Sequence, residues 1–100
     1  MATGVIGLGN IGGAIAANLV ADGNEVVVHD VDPSAMAAVA GASPVADVAS
    51  VANRAEVTLL SLPTPDVVAD VAAAWADALR AFTTACAVRV RLLVKGVAAE

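Results

Sequence analysis

The sequence predicts an α/β domain built on a Rossmann-type doubly wound parallel sheet, with one domain spanning residues 1–100. Three observations carry this. Short apolar runs alternate with segments of helical period, the pattern of βαβ units. The run "EVVVH" has three consecutive valines at its centre, as a strand covered on both faces should. Glycine, Asp-Pro and Thr-Pro punctuate the junctions between runs. Right-handed crossovers between such units then give a strand order of 3-2-1-4-5.

Each element has its own local reason. Thr3–Leu8 reads as a buried strand ended by the turn Gly7-Leu8-Gly9. From Asn10 the period changes, with Ile11, Ala14, Ile15 and Leu19 at helical spacing, and Asp22-Gly23-Asn24 supplies the stop. Glu25–His29 is the second strand. Asp32-Pro33-Ser34 opens a short helix over Ala35–Ala40, and Ser43–Val45 is a brief third strand. Asp47 caps a helix reaching about Asn53, and Glu56–Leu62 is the fourth strand. Thr64-Pro65-Asp66 combines a hydroxyl cap, a proline in the first turn and an acid facing the helix dipole. The helix it starts carries one apolar stripe of Val68, Val71, Trp75, Leu79 and Phe82.

Composition narrows the function classes. With 59% apolar and 15% charged residues the chain has the makings of a packed core rather than a disordered segment. A net charge of −5 disfavours nucleic acid and anionic membrane as partners. Cys86 is the only cysteine, which fits a reducing cytoplasm, and the N-terminus lacks the basic residues of a signal peptide. The uncharged stretch Gly4–Ala21 has the length of a membrane helix. Its asparagines and glycines, and the absence of flanking basic residues, argue against that reading.

The glycines of that stretch need an explanation, since glycine inside an element costs about 0.5–1 kcal/mol relative to alanine. Gly7-Leu8-Gly9-Asn10-Ile11-Gly12 reads G-x-G-x-x-G, directly after a predicted strand and opening a predicted helix. In such a turn Gly7 permits the tight bend, Gly9 lets a diphosphate approach the backbone, and Gly12 lets the helix lie close to the sheet. The helix start then offers free N–H groups and its dipole to the phosphate charge. An acid is expected about twenty residues further on, and Asp30 stands at the end of the second strand. Its carboxylate can accept from both hydroxyls of the adenosine ribose, and it repels a 2′-phosphate. Val31 and Asp32 follow it rather than a cation, so NAD is expected over NADP. The plainer alternative is a glycine-rich turn packed on the sheet, with Asp30 capping the next turn. Asn10 either reaches a phosphate or merely begins the helix.

"GVIGLGNIGGAIAANLVADGNEVVVHDVDP" resembles the N-terminal signature of the 3-hydroxyisobutyrate dehydrogenase family of β-hydroxyacid dehydrogenases, relatives of 6-phosphogluconate dehydrogenase. The family pattern is close to GLGxMGxxMAxNL, and Ile11 and Ile15 stand here at both methionine positions. A second block, "EVTLLSLPTPDVV", is similar to the family's strand and Leu-Pro loop beside the cofactor. The likeness covers roughly residues 3–80. It implies a cofactor site made of Gly7, Leu8, Gly9, Asn10, Ile11, Gly12 and Asp30, with Leu62 and Pro63 touching the dinucleotide farther along. Some members carry Asn where this chain has Val67.

After about Arg80 the likeness fades. In the family a helical second domain follows and supplies a catalytic lysine; Lys95 lies too early for that role, so no catalytic residue is assigned. No metal-ligand spacing occurs either. In the tail Cys86, Val88, Val90, Leu92 and Val94 alternate with Arg89, Arg91 and Lys95, as in an edge strand. A truncation or reading-frame change is the other account of this segment. The resemblance thus implies the NAD-binding domain of an oxidoreductase acting on a small hydroxy acid, inactive without a second domain. Two further readings stand beside it: a nucleotide-sensing module that associates with itself or a longer relative through exposed apolar surface, and a decayed gene product. His29 is expected to pack or to lie beside adenine, Cys86 to be an inert core thiol, and Ser61 and Thr64 to have no nucleophilic role.

Overall fold

The computed structural model describes residues 2–83 and 91–95. Five parallel strands form one sheet in the order β3-β2-β1-β4-β5, the order expected from the sequence. The strands are β1 (Ala2–Ile6), β2 (Val26–His29), β3 (Ser43–Pro44), β4 (Ala55–Ser61) and β5 (Arg91–Lys95). The helices between them are α1 (Asn10–Ala21), α2 (Pro33–Ala37), α3 (Val48–Arg54) and α4 (Pro65–Thr83). The apolar stretch that rivals a membrane span is divided between β1 and α1. Among the described residues no helix is long and apolar enough to cross a membrane.

β1 is central, paired on one side with β2 (Gly4 opposite Val27) and on the other with β4 (Gly4 opposite Thr58). Because side chains alternate across a strand, the sheet separates two apolar layers. Ile6, Val27 and Leu60 face Val51 of α3 and Val68 of α4. Val5, Val26 and Val28 face Ala16 of α1 and Val39 beyond α2. Burying a valine or leucine in such layers contributes about 1.5–3 kcal/mol each. One buried polar pair joins the first layer: Trp75 Nε1 donates to Thr58 Oγ1 at 3.1 Å, satisfying both groups inside the core.

The ends of α1 and the short helices follow from the local sequence. Gly23 stops α1 with φ +91°, a conformation glycine adopts freely. Its N–H donates to the Val20 carbonyl and that of Asn24 to the Leu19 carbonyl. Asp32 and Asp47 cap α2 and α3 as expected, each taking the N–H of a following serine.

α1 meets its expected face only in part: Ile15 and Leu19 are half-buried, Leu19 against the layer of Val5 and Val28. Ile11 is 51% exposed and Ala14 is exposed, while Gly12 and Ala16 are the buried residues. The cause is proximity: a helix lying this close to the sheet takes its smallest residues at the contact. On α4, Val68 and Trp75 are buried and Val71 half-buried as the stripe requires. The side chains of Leu79 and Phe82, and the part of the tail alternation carried by Cys86, Val88, Arg89 and Val90, lie outside the described residues. Arg91–Lys95 does form a strand at the sheet edge, in register with β4 from Val57 to Ser61.

Candidate functional site

A cavity of about 810 Å³ opens at the C-terminal ends of β1, β2 and β4, the edge of a doubly wound sheet where ligands bind. Its floor is the β1–α1 loop, with Ile6, Gly7, Leu8 and Gly9. Asn10 and Ile11 of the first turn of α1 form one rim, and His29, Asp30 and Val31 at the end of β2 form another. Ser61, Leu62 and Pro63 close the side at the end of β4. Thus the loop residues expected at a cofactor site meet in one cavity with Asp30, Leu62 and Pro63. Gly12 is the exception: it is buried beneath the floor.

The three motif glycines have different reasons to lack side chains. At Gly7, with φ +95°, a Cβ would collide with the Ser61 carbonyl. At Gly12 a Cβ would collide with the Gly7 carbonyl. Both are required by the protein's own packing. Gly9 is not: its φ is −69°, open to any residue, and a Cβ there would meet nothing within 4 Å. The vacant volume beside Gly9 belongs to the cavity.

The start of α1 is bare in another sense. Gly9 is its N-cap and no side chain accepts from its first turn; the first backbone bond runs from Gly13 N–H to the Gly9 carbonyl at 2.8 Å. The N–H groups ahead of Gly13 therefore have no partner within the helix, and the positive end of the dipole faces the cavity mouth. The other helices begin under a side-chain oxygen. Asp32 takes Ser34 N–H at 3.0 Å, Asp47 takes Ser50 N–H at 2.8 Å, and Thr64 Oγ1 takes Val67 N–H at 3.3 Å. The hydroxyls of Ser34 and Ser50, and then their N–H groups, hold the Asp32 and Asp47 carboxyls below the usual aspartate range.

Asp30 does more than cap a turn. Oδ1 accepts from Asp32 N–H at 2.9 Å, and Oδ2 accepts from Leu8 N–H at 2.7 Å. His29 Nδ1 lies 3.0 Å from the Val45 carbonyl oxygen. A carbonyl only accepts, so Nδ1 carries the hydrogen and the ring is fixed against the end of β3 while lining the cavity.

Val67, singled out in the sequence beside the Leu-Pro loop, lines the cavity; sequence reasoning missed Val48 of α3 and Val71 of α4, which complete an aliphatic wall with it. Their signal was present, since Val48 directly follows the Asp47 cap and Val71 belongs to the α4 stripe. Helical period alone assigns that stripe to the core.

The model of the NAD binding domain of 6-phosphogluconate dehydrogenase matches residues 2–88. The chain belongs to this family of NAD-binding domains. The matched stretch runs past Arg80, where the likeness read from the sequence fades, and so takes in part of the tail. No curated protein matches the chain at a significant level. Among solved structures, the domain is similar to a 3-hydroxyisobutyrate dehydrogenase from Mycobacterium tuberculosis bound to L-serine. That match has 30% identity and a TM-score of 0.74, and covers 77% of this chain and 27% of the other. An imine reductase from Streptomyces aurantiacus is 30% identical with a TM-score of 0.71, covering 78% of this chain and 28% of its own. An imine reductase from Myxococcus stipitatus in complex with NADP+ shares the fold at 19% identity and a TM-score of 0.68, covering 71% and 25%. The NAD-binding domain thus spans about a quarter of the length of the solved proteins it resembles.

Proposed function

We propose that the cavity holds NAD with its diphosphate against the N–H groups from Gly9 through Gly12, and the adenosine ribose on Asp30. The observation that carries this is the unoccupied space at Gly9, where neither backbone conformation nor packing calls for a glycine. Leu62 and Pro63 meet the dinucleotide farther along. The carboxylate of Asp30 has about four acceptor sites and spends two on Leu8 and Asp32, so two remain for ribose hydroxyls. With Val31 and Asp32 next in sequence, a 2′-phosphate meets negative charge and no cation, which favours NAD over NADP.

In this reading the domain serves an oxidoreductase that moves hydride reversibly between the hydroxyl-bearing carbon of a small 3-hydroxy acid and the nicotinamide ring. The cofactor supplies the hydride site. The domain binds and orients the cofactor, while the proton of the hydroxyl group and half the substrate cleft are handled by a second domain of the kind the longer relatives carry. These 100 residues by themselves then bind NAD weakly and turn over no hydroxy acid. The single cysteine favours a cytoplasmic setting. A second reading takes an imine as the oxidised substrate, favoured by equal 30% identity to the hydroxy-acid and imine enzymes.

Calorimetric titration with NAD and NADP tests the binding claim. The expected result is saturable binding of NAD and weaker binding of NADP. Absence of binding by both, from a folded sample, refutes the site. Turnover of 3-hydroxyisobutyrate at an enzymatic rate by these residues alone refutes the dependence on a second domain.

A further inference from the structure

The β1–α1 loop is held at three points. Gly7 N–H donates to the His29 carbonyl at 3.0 Å, and the Leu8 side chain is buried in the layer beneath α1. The third point is the 2.7 Å bond from Leu8 N–H to Asp30 Oδ2. A bond to a charged acceptor at this length is about twice as strong as a neutral one. It crosses from the end of β2 to the loop and occupies the Leu8 amide, leaving Gly9 as the first amide free for a ligand. The second Asp30 oxygen is tied to Asp32 N–H, which fixes the carboxylate against rotation.

We propose that Asp30 is a positioning residue for the diphosphate loop in addition to a ribose acceptor, so that both parts of the cofactor are recognised through one carboxylate. This rests on reading the cavity as a dinucleotide site. It has a consequence for specificity: Asp30 cannot be replaced to admit a 2′-phosphate without loosening the loop that receives the diphosphate.

A ligand with phosphate and no ribose separates the two roles. If Asp30 served the ribose alone, inorganic pyrophosphate would bind Asp30→Ala as well as wild type, or tighter because a negative charge is gone. Positioning predicts the opposite sign. The experiment titrates pyrophosphate and NAD into the full chain and its Asp30→Ala, Asp30→Asn and Asp47→Ala variants, and follows hydrogen exchange at the Leu8 amide. The expected result is a roughly tenfold loss of pyrophosphate affinity in Asp30→Ala, the scale of one lost bond to a charged group. Asn keeps one acceptor oxygen and restores part of it. Leu8 exchanges faster in the alanine variant. Asp47→Ala uncaps α3 and lowers the melting temperature without moving pyrophosphate, which separates positioning from general destabilisation. Unchanged or tighter pyrophosphate binding in Asp30→Ala, with NAD binding lost, overturns this inference and leaves the NAD site standing. Failure of wild type to bind either ligand removes the site and the inference together.

Discussion

Helices α1 and α3 both start where the chain leaves a strand, yet they treat their first N–H groups in opposite ways. α3 begins under Asp47, whose Oδ1 takes both the N–H and the hydroxyl of Ser50 at 2.8 and 2.7 Å. α1 begins at Gly9, with no side chain over its first turn and open space where one would stand. A capped helix end has spent its donors on its own chain, whereas an uncapped end beside a cavity keeps them for a ligand. The difference teaches that a missing side chain can be a binding feature, provided the fold itself has no use for the gap.

Gly9→Val breaks the contrast most severely. The branched side chain fills the space beside the free amides, and NAD affinity is expected to fall at least about a hundredfold. Because a Cβ there meets nothing within 4 Å, the melting temperature should fall by no more than the few degrees that valine costs at an N-cap. Calorimetry with a thermal melt checks both halves; a large loss of stability alongside the affinity would count against the reading of Gly9 as free of packing duties.

Gly12→Ala sharpens the contrast from the other side. Its Cβ would meet the Gly7 carbonyl, so the expected effect is on the fold, about 1–3 kcal/mol as for other overpacked sites. Fluorescence of the single tryptophan, Trp75, which is buried against Thr58, reports the denaturation midpoint. A variant as stable as wild type would contradict the packing argument.

Asp47→Ala gives the smallest change and falls on the capped helix. It removes the bonds to Ser50, and the melting temperature should drop by a few degrees with NAD affinity unchanged. The pH dependence follows in sign. The Asp47 carboxyl is lowered in the folded state, chiefly by the Ser50 hydroxyl and then by Ser50 N–H. Its contribution is therefore present above the unfolded aspartate value, near 3.9, and is lost as pH falls through the lower folded value. Melts from pH 6 downward should show wild type and Asp47→Ala converging in acid. A constant gap would place the cap's effect elsewhere than in the carboxylate charge.

Much of this contrast could be read before any coordinates. Asp47 ahead of an apolar segment announces a capped helix, and Gly9 in its motif after an apolar run announces the opposite. Strand order followed from the alternation and the handedness of crossovers. The buried face of α1 was legible only in part. Gly12 announces the close approach to the sheet, but period alone favours Ile11 and Ala14, whereas that approach selects Ala16 beside Gly12. The aliphatic wall was hidden for a related reason, because Val71 on the α4 stripe serves both core and cavity. The link between Leu8 and Asp30 joins residues on separate βα units, and no local pattern encodes it.

Two-dimensional amide spectra recorded during an NAD titration test the central claim most directly, because they report the two helix starts in one experiment. The largest shifts are expected at Gly9, Asn10, Ile11 and Gly12, with the Ser50 amide under the Asp47 cap nearly still. Saturable binding that moved the start of α3 and left the four amides of α1 in place would contradict the account.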